Sequence, residues 1–151
     1  MGSEWEPVLK EVISEVLETM FFAVVEFEEG PPGDTPFDFE SEIVLVNSDE
    51  KIVISLRVSE EFARMVTADF LGIGQDQAKN DDVEDTVKEL TNMVGGLYHA
   101  KLNNAKWELG IPRVCKIDPG APDDMDKNHA GLDFGFLGQP AGSAHLAHLP
   151  V

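Results

Sequence analysis

The sequence predicts an α+β fold, an antiparallel sheet of about six strands with long amphipathic helices packed on it. Three observations predict it. Apolar residues recur at helical spacing over 8–20, 59–71 and 81–105; they alternate with polar residues over 37–58 and again over 132–136; and the elements come in a repeating order. That order is one helix and three strands, then two helices and two or three strands, the plan of an internally duplicated helix plus three-strand unit. At 151 residues the chain reads as one domain, 1–151. It is long enough to bury roughly two thirds of its unfolded surface and to fold without a disulfide or metal.

Pro7 suits the first turn of a helix. Val8, Leu9, Val12, Ile13, Val16, Leu17 and Met20 follow on one side, with Lys10, Glu11, Ser14, Glu15 and Glu18 on the other. The run FFAVVEF, 21–27, is too β-branched and aromatic to continue that helix and reads as a strand. Gly30, Pro31, Pro32, Gly33 and Pro36 break it into a loop. Phe37, Phe39, Ser41, Ile43 and Leu45 then alternate with Asp38, Glu40 and Glu42. After a turn at 47–50, Ile52, Ile54, Leu56 and Val58 alternate with Lys51, Val53, Ser55 and Arg57, which makes 37–58 an antiparallel hairpin. Ser59 caps the next helix, with Glu60 and Glu61 in its first turn where the dipole favours negative charge. Phe62, Met65, Val66 and Phe70 form its apolar side, and Gly72 ends it.

A polar connection over 72–79 leads to the longest helical pattern, opened by Asn80 or Asp81 as cap with Glu84 placed to reach back to the first turn. Downstream, Pro112 sets up a strand over 113–117. A loop of Pro, Gly and Asp follows, and Leu132, Phe134 and Phe136 alternate as another strand. The end, AGSAHLAHLPV, has poor strand propensity and leaves three options open: a final strand, an edge, or a loosely held tail.

Composition narrows the function classes. Eleven Lys and Arg against 29 Asp and Glu give a formal charge of −18, which repels phosphate backbones and anionic membranes, so neither nucleic acid nor a membrane surface is an expected partner. Hydrophobic content of 42% and aromatic content of 8% supply enough apolar side chain to offset chain entropy, against disorder. The start MGSEWEPVL lacks the basic and apolar regions of a secretory signal, no apolar run approaches a membrane span, and the lone Cys115 has no internal partner. A cytoplasmic protein is expected.

The 81–105 helix carries information on both faces. At about 100° per residue, Val83, Val87, Leu90, Val94, Leu97 and Tyr98 share a stripe that a helix buries. Opposite, within roughly 40° of one line, lie Asp85, Glu89, Asn92, Gly96, His99 and Asn103. Polar residues opposite an apolar stripe are what any surface helix shows. Two details point beyond that. Asn gains nothing in an exposed helix interior, and the Gly95 and Gly96 pair costs up to about 1 kcal/mol per residue relative to Ala. Gly96 falls on the same line as Glu89 and Asn92, which is sensible where a partner must come close.

Glu89, Leu90, Thr91, Asn92 and Met93, with glycines behind them, resemble the ExxN motif of the CheC/CheX family of chemotaxis phosphatases, and Asp85 stands where the longer DxxxExxN form has its Asp. VLETMFFAVVE, the strand pair leading into ISLRVSEEFARMVTADFLG, and Pro112 after the motif helix extend the resemblance over residues 8–117. A bare ExxN recurs by chance; its place in a long helix after that order of elements gives it weight. The resemblance implies hydrolysis of the aspartyl phosphate of a CheY-like response regulator. In that chemistry Asn92 positions the attacking water, Glu89 pairs with the regulator's active-site Lys, and Asp85 supports. Mg²⁺ is expected on the regulator, and no cofactor on this chain. The first helix offers only Glu11 with Ser14 and Glu15 with Glu18 at the matching spacing, and neither has a carboxamide. One site is therefore expected, as in the CheX branch, and with it that branch's homodimer joined through its sheets.

Other features read as bland. His145 and His148 stand three apart in the ambiguous tail without acidic or Cys partners, too few for a metal site. Asp123, Asp124 and Asp126 lack the glycine and terminal Glu of a calcium loop. His99 takes no role, and Cys115, inside a predicted strand, is expected to be buried and inert. Two further readings stand beside the phosphatase: a non-catalytic module docking a response regulator or a chemotaxis or flagellar component through the same face, and a diverged domain with another ligand in a sheet-side cleft.

Overall fold

The computed structural model describes residues 5–29, 33, 35–102, 106–118 and 130–151. Its elements run α1 (Trp5–Met20), β1 (Glu26–Phe27), β2 (Phe39–Val46), β3 (Glu50–Val58), α2 (Glu60–Leu71), a 3₁₀ turn at Gln75–Gln77, α3 (Asn80–Leu102), β4 (Glu108–Leu109), β5 (Arg113–Lys116), β6 (Ala130–Phe136) and β7 (Gln139–Pro150). The strands form one antiparallel sheet in the order β1-β6-β7-β3-β2-β4, with β5 also on β2. Exchanging β2 with β6, β3 with β7, and β1 with the β4 and β5 pair turns that order into its own reverse. This is the symmetry of plan that a duplicated helix plus three-strand unit predicts; α2 has no counterpart in the other half.

The hairpin forms as the alternation requires. Ile43 faces Ile54, Leu45 faces Ile52 and Phe39 faces Val58 across β2 and β3, and all six are buried on the face the helices cover. Ser59 Oγ accepts from the Phe62 N–H at 3.1 Å, and Gly72 closes α2 at φ 70°. At α3 the reach-back differs from expectation: the Asp82 carboxylate, not Glu84, accepts from the Lys79 N–H at 3.1 Å. Asp82 is three residues from Lys79, the spacing a capping box demands.

Two expectations are corrected, for 21–27 and for Cys115, and the open reading of 141–151 is decided. Only Glu26–Phe27 of 21–27 is strand. The Phe21 and Ala23 N–H groups both donate to Leu17 O, at 3.1 and 2.9 Å, and Phe22 sits at φ 57°; the residues after α1 thus close its carbonyls instead of joining the sheet. The 141–151 stretch is neither edge nor tail: it forms most of β7, held between β3 and β6, so His145 and His148 belong to a central strand. A two-residue turn with positive φ at Leu137 (51°) and Gly138 (79°) brings β7 back along β6. Its small residues have a packing reason. A Cβ at Gly142 would stand 2.5 Å from Arg57 O and 2.6 Å from the Phe134 ring, so that ring lies where a side chain would otherwise be. Cys115 is exposed, because β5 pairs it with Glu40 on the face away from the helices. Asn103 and the aspartates 123, 124 and 126 lie outside the described residues.

One core joins the layers. Leu9, Val12, Ile13 and Leu17 of α1, Val87, Leu90 and Val94 of α3, and the inward residues of β2, β3, β6 and β7 belong to one buried cluster. α3 is seated closely on β2: a Cβ at Gly95 would stand 2.7 Å from Ile43 Cγ2 and 3.3 Å from Leu109 Cδ1. At Gly96 the same construction meets only Leu109 Cδ2, at 4.0 Å. Packing therefore requires the first glycine and leaves the second free.

Gly95→Ala is expected to destabilise the fold by about 1–3 kcal/mol, the usual cost of overpacking a rigid core. Gly96→Ala should stabilise it by up to about 1 kcal/mol through helix propensity; urea unfolding of both variants checks the contrast. Residual burial, then the Glu40 and Glu42 carboxylates, push the Cys115 thiol up, against an opposing Arg57. At neutral pH its thiolate fraction is thus below that of a free thiol. Iodoacetamide labelling should be slow at neutral pH, speed up as pH rises, and be a few-fold faster in Glu40→Gln.

Candidate functional site

α3 packs against β2, α1 and α2, and this fixes which of its faces meets solvent. Val83, Thr86, Val87, Leu90, Thr91, Val94, Gly95 and Tyr98 point inward. The buried stripe is wider than the apolar residues alone, since Thr86 and Thr91 are 3% and 0% exposed. Thr91 belongs there because its hydroxyl donates to Val87 O at 3.1 Å, which removes the cost of an unpaired buried donor. Burial pushes the Tyr98 phenol up, so it stays neutral in the core.

On the opposite face Asp85 is exposed, and Glu89, Asn92 and Gly96 are half-buried. Steps of four, three and four residues hold these positions on one line at about 100° per residue, with Glu89 and Asn92 roughly 4.5 Å apart along the axis. Among the described residues no hydrogen bond or ion pair engages the Asp85, Glu89 or Asn92 side chain. Near α3's C-terminal end the functional groups are committed. His99 Nε2 is 2.7 Å from Trp107 O, and Lys101 Nζ donates to Glu11 at 3.0 Å, which ties α3 to α1. The arrangement offers an acceptor-only carboxylate and, one turn on, a carboxamide that can both donate and accept, with no bulk behind them at Gly96.

His145 and His148 are not part of this face. His148 Nε2 lies 2.7 Å from the Glu50 carboxylate, and His145 Nε2 is 3.1 Å from Ser143 Oγ. Among the described residues no group of three or more His, Cys, Asp and Glu side chains could hold a metal ion, and no helix is long and apolar enough to cross a membrane. One neighbour of the α3 line escaped the sequence reading. Leu109 of β4 lies against Gly95 and Gly96 and is 38% exposed. Its signal was the pair Leu109 and Ile111 flanking Gly110, in a stretch where only Pro112 drew notice.

Comparison with known proteins agrees with this architecture. No curated protein matches the chain. Among solved structures, the chemotaxis protein CheX from Vibrio vulnificus superposes with a TM-score of 0.81 at 18% identity, covering 97% of this chain and 99% of that one. A CheX–CheY–BeF₃–Mg²⁺ complex from Borrelia burgdorferi gives 0.80 at 14% identity, covering 97% and 98%. A CheC-like superfamily protein from Shewanella sp. PV-4 gives 0.76 at 18%, covering 98% and 99%. These likenesses establish the fold. The family model for the chemotaxis phosphatase CheX matches residues 41–131, which include most of β2 and the whole of β3, α2 and α3, and the chain belongs to the CheX family.

Proposed function

We propose that this protein hydrolyses the aspartyl phosphate of a CheY-like response regulator, with α3 presented to the regulator's phosphorylated site. The observation that carries the reading is the unengaged pair Glu89 and Asn92 on the solvent face of a helix whose other side is locked in the core. A relative of the same fold forms a complex with CheY, which supports the choice of partner.

An acyl phosphate is already activated, so the chain need not supply a nucleophile. Water attacks phosphorus, the bond from phosphorus to the aspartyl oxygen breaks, and inorganic phosphate and a free carboxylate result. The regulator brings Mg²⁺ and a lysine to neutralise the developing charge. What remains is to hold a water in line with the leaving oxygen. Asn92 suits that task because a carboxamide orients water through hydrogen bonds and adds no negative charge beside the phosphoryl oxygens, as an Asp would. Glu89, one turn earlier, pairs with the regulator's lysine and fixes the docking, with Asp85 as a supporting contact. Gly96 gives clearance: the fold does not require a glycine there, so its absence of side chain is available to the partner. The reading places the protein in the cytoplasm with its substrate. It includes the homodimer joined through the sheets, which the complete sheet supports.

The decay of a phosphorylated CheY-like protein, timed with and without this protein, tests the reading. Wild type should accelerate it. Asn92→Ala should keep binding and lose acceleration on the order of a hundredfold, the cost of a misplaced reactant, while Glu89→Ala weakens both binding and rate. Unchanged decay despite binding would leave a non-catalytic docking module. A second expectation follows from the charge of −18. If repulsion limits the encounter with an anionic partner, association measured by stopped flow should speed up as salt rises.

A further inference from the structure

Asn92 stands between two opposite charges on α3. At about 100° per residue, Lys88 lies about 40° to one side of it around the helix and Glu89 about 60° to the other, both within one turn. Helical side chains lean toward the N-terminal end, so the Asn92 carboxamide covers the turn that carries Lys88 and Glu89. Four positions apart, the β carbons of Lys88 and Asn92 are about 5–6 Å from one another. Lys88 is exposed, and its flexible four-carbon stem can carry the ammonium across that distance.

The two lysines of α3 differ in their use. Lys101 is held by Glu11 at 3.0 Å, whereas among the described residues no hydrogen bond or ion pair engages Lys88. Glu84 stands four residues before it, the order that favours a helical ion pair, and Asp85 three before, yet neither takes it. A positive charge is thus left to solvent beside the motif, in a chain of formal charge −18. Phosphorylation adds roughly one negative charge to a regulator's carboxylate. A face holding only Asp85 and Glu89 would therefore favour the unphosphorylated form. A cation at contact distance reverses that preference, because a close charge pair in a water-poor interface is screened far less than carboxylates farther off.

We propose that Lys88 contacts the phosphoryl oxygens of the docked regulator and makes the α3 face select the phosphorylated form. The inference rests on α3 being the regulator-docking face. The order around the helix then matches the regulator's site: ammonium against phosphoryl group, carboxamide against the attacking water, and the Glu89 carboxylate against the regulator's lysine. Lys88 acts on which form is bound, and Asn92 acts on the water. A lysine suits the contact as a mobile point charge, which follows phosphoryl oxygens without demanding a fixed geometry.

Titration of a CheY-like regulator into wild type, Lys88→Gln, Lys88→Arg and Lys51→Gln tests it, once with the regulator unmodified and once with beryllofluoride and Mg²⁺ as the phosphoryl mimic. Lys51 lies on β3 and alternates with the buried Ile52, on the sheet face away from the helices, so its loss makes the same change in net charge without touching α3. Wild type should prefer the loaded form. Lys88→Gln should reduce that preference about tenfold, the scale of one charge-assisted hydrogen bond, with affinity for the unmodified form within twofold. Lys88→Arg and Lys51→Gln should keep the preference. An undiminished preference in Lys88→Gln, or equal weakening toward both forms, overturns the proposal. So does an equal loss in Lys51→Gln, since net charge then accounts for the effect. A wild type that binds both forms alike overturns the proposal alone; a wild type that binds neither fails the regulator reading itself and the proposal with it.

Discussion

The close seating of α3 on β2 is the constraint from which the rest of the structure follows. With no side chain at Gly95, the helix backbone comes down onto Ile43, itself fully buried in the sheet. Its flanks then meet α1 and α2. A helix held on three sides has no freedom to roll. A rotation by one residue, about 100°, would drive Asp85 or Glu89 toward the neighbouring helices and expose Val87 and Leu90. The direction of the polar line is therefore set by the packing beneath it, and the Lys101 to Glu11 ion pair only secures one end. Exposed pairs of that kind contribute little by themselves.

Among the described residues nothing engages the motif side chains, whereas His99, the nearest polar group beyond Gly96 on the same line, is engaged with Trp107. Side chains without internal partners at the centre of a rigid face, bordered by bonded ones, form a surface already ordered for a second molecule. Little ordering entropy is then lost on binding. The edge where β4 and β5 are separated by Gly110 and Pro112 is a poor template for uncontrolled pairing with other chains.

Much of this was legible in the sequence, and the failures have physical causes. Helix faces were readable because burial follows the 3.6-residue period directly, and the β2–β3 hairpin because one face is dry and the other wet. Thr91 of the α3 stripe was missed since its hydroxyl is satisfied by the helix's own Val87 carbonyl, a pairing that hydrophobicity does not record. FFAVVEF has strand composition, yet α1 needed closing groups for its last carbonyls and took them from that run. The small residues of 141–151 look like poor strand formers because β propensity reflects packing on a pleated surface; here Phe134 and the neighbouring strands supply the bulk. The cost of the glycine pair pointed to a partner and only Gly96 to clearance; the reason for Gly95, the close approach of Ile43, was not visible. Only tertiary contact distinguishes them.

The central position of β7 has a consequence for how the molecule assembles. Its partners on β3 lie 84 positions away at Val58 and Gly142 and 100 away at Glu50 and Pro150. The β2–β3 hairpin, by contrast, closes across a turn of three residues between Val46 and Glu50. Local pairing forms quickly and distant pairing slowly. During folding the hairpin is therefore completed early, with its β3 edge unpaired until β7 arrives. The two halves of the sheet join along the β3–β7 seam, and that late event also completes the platform under α1, α2 and α3.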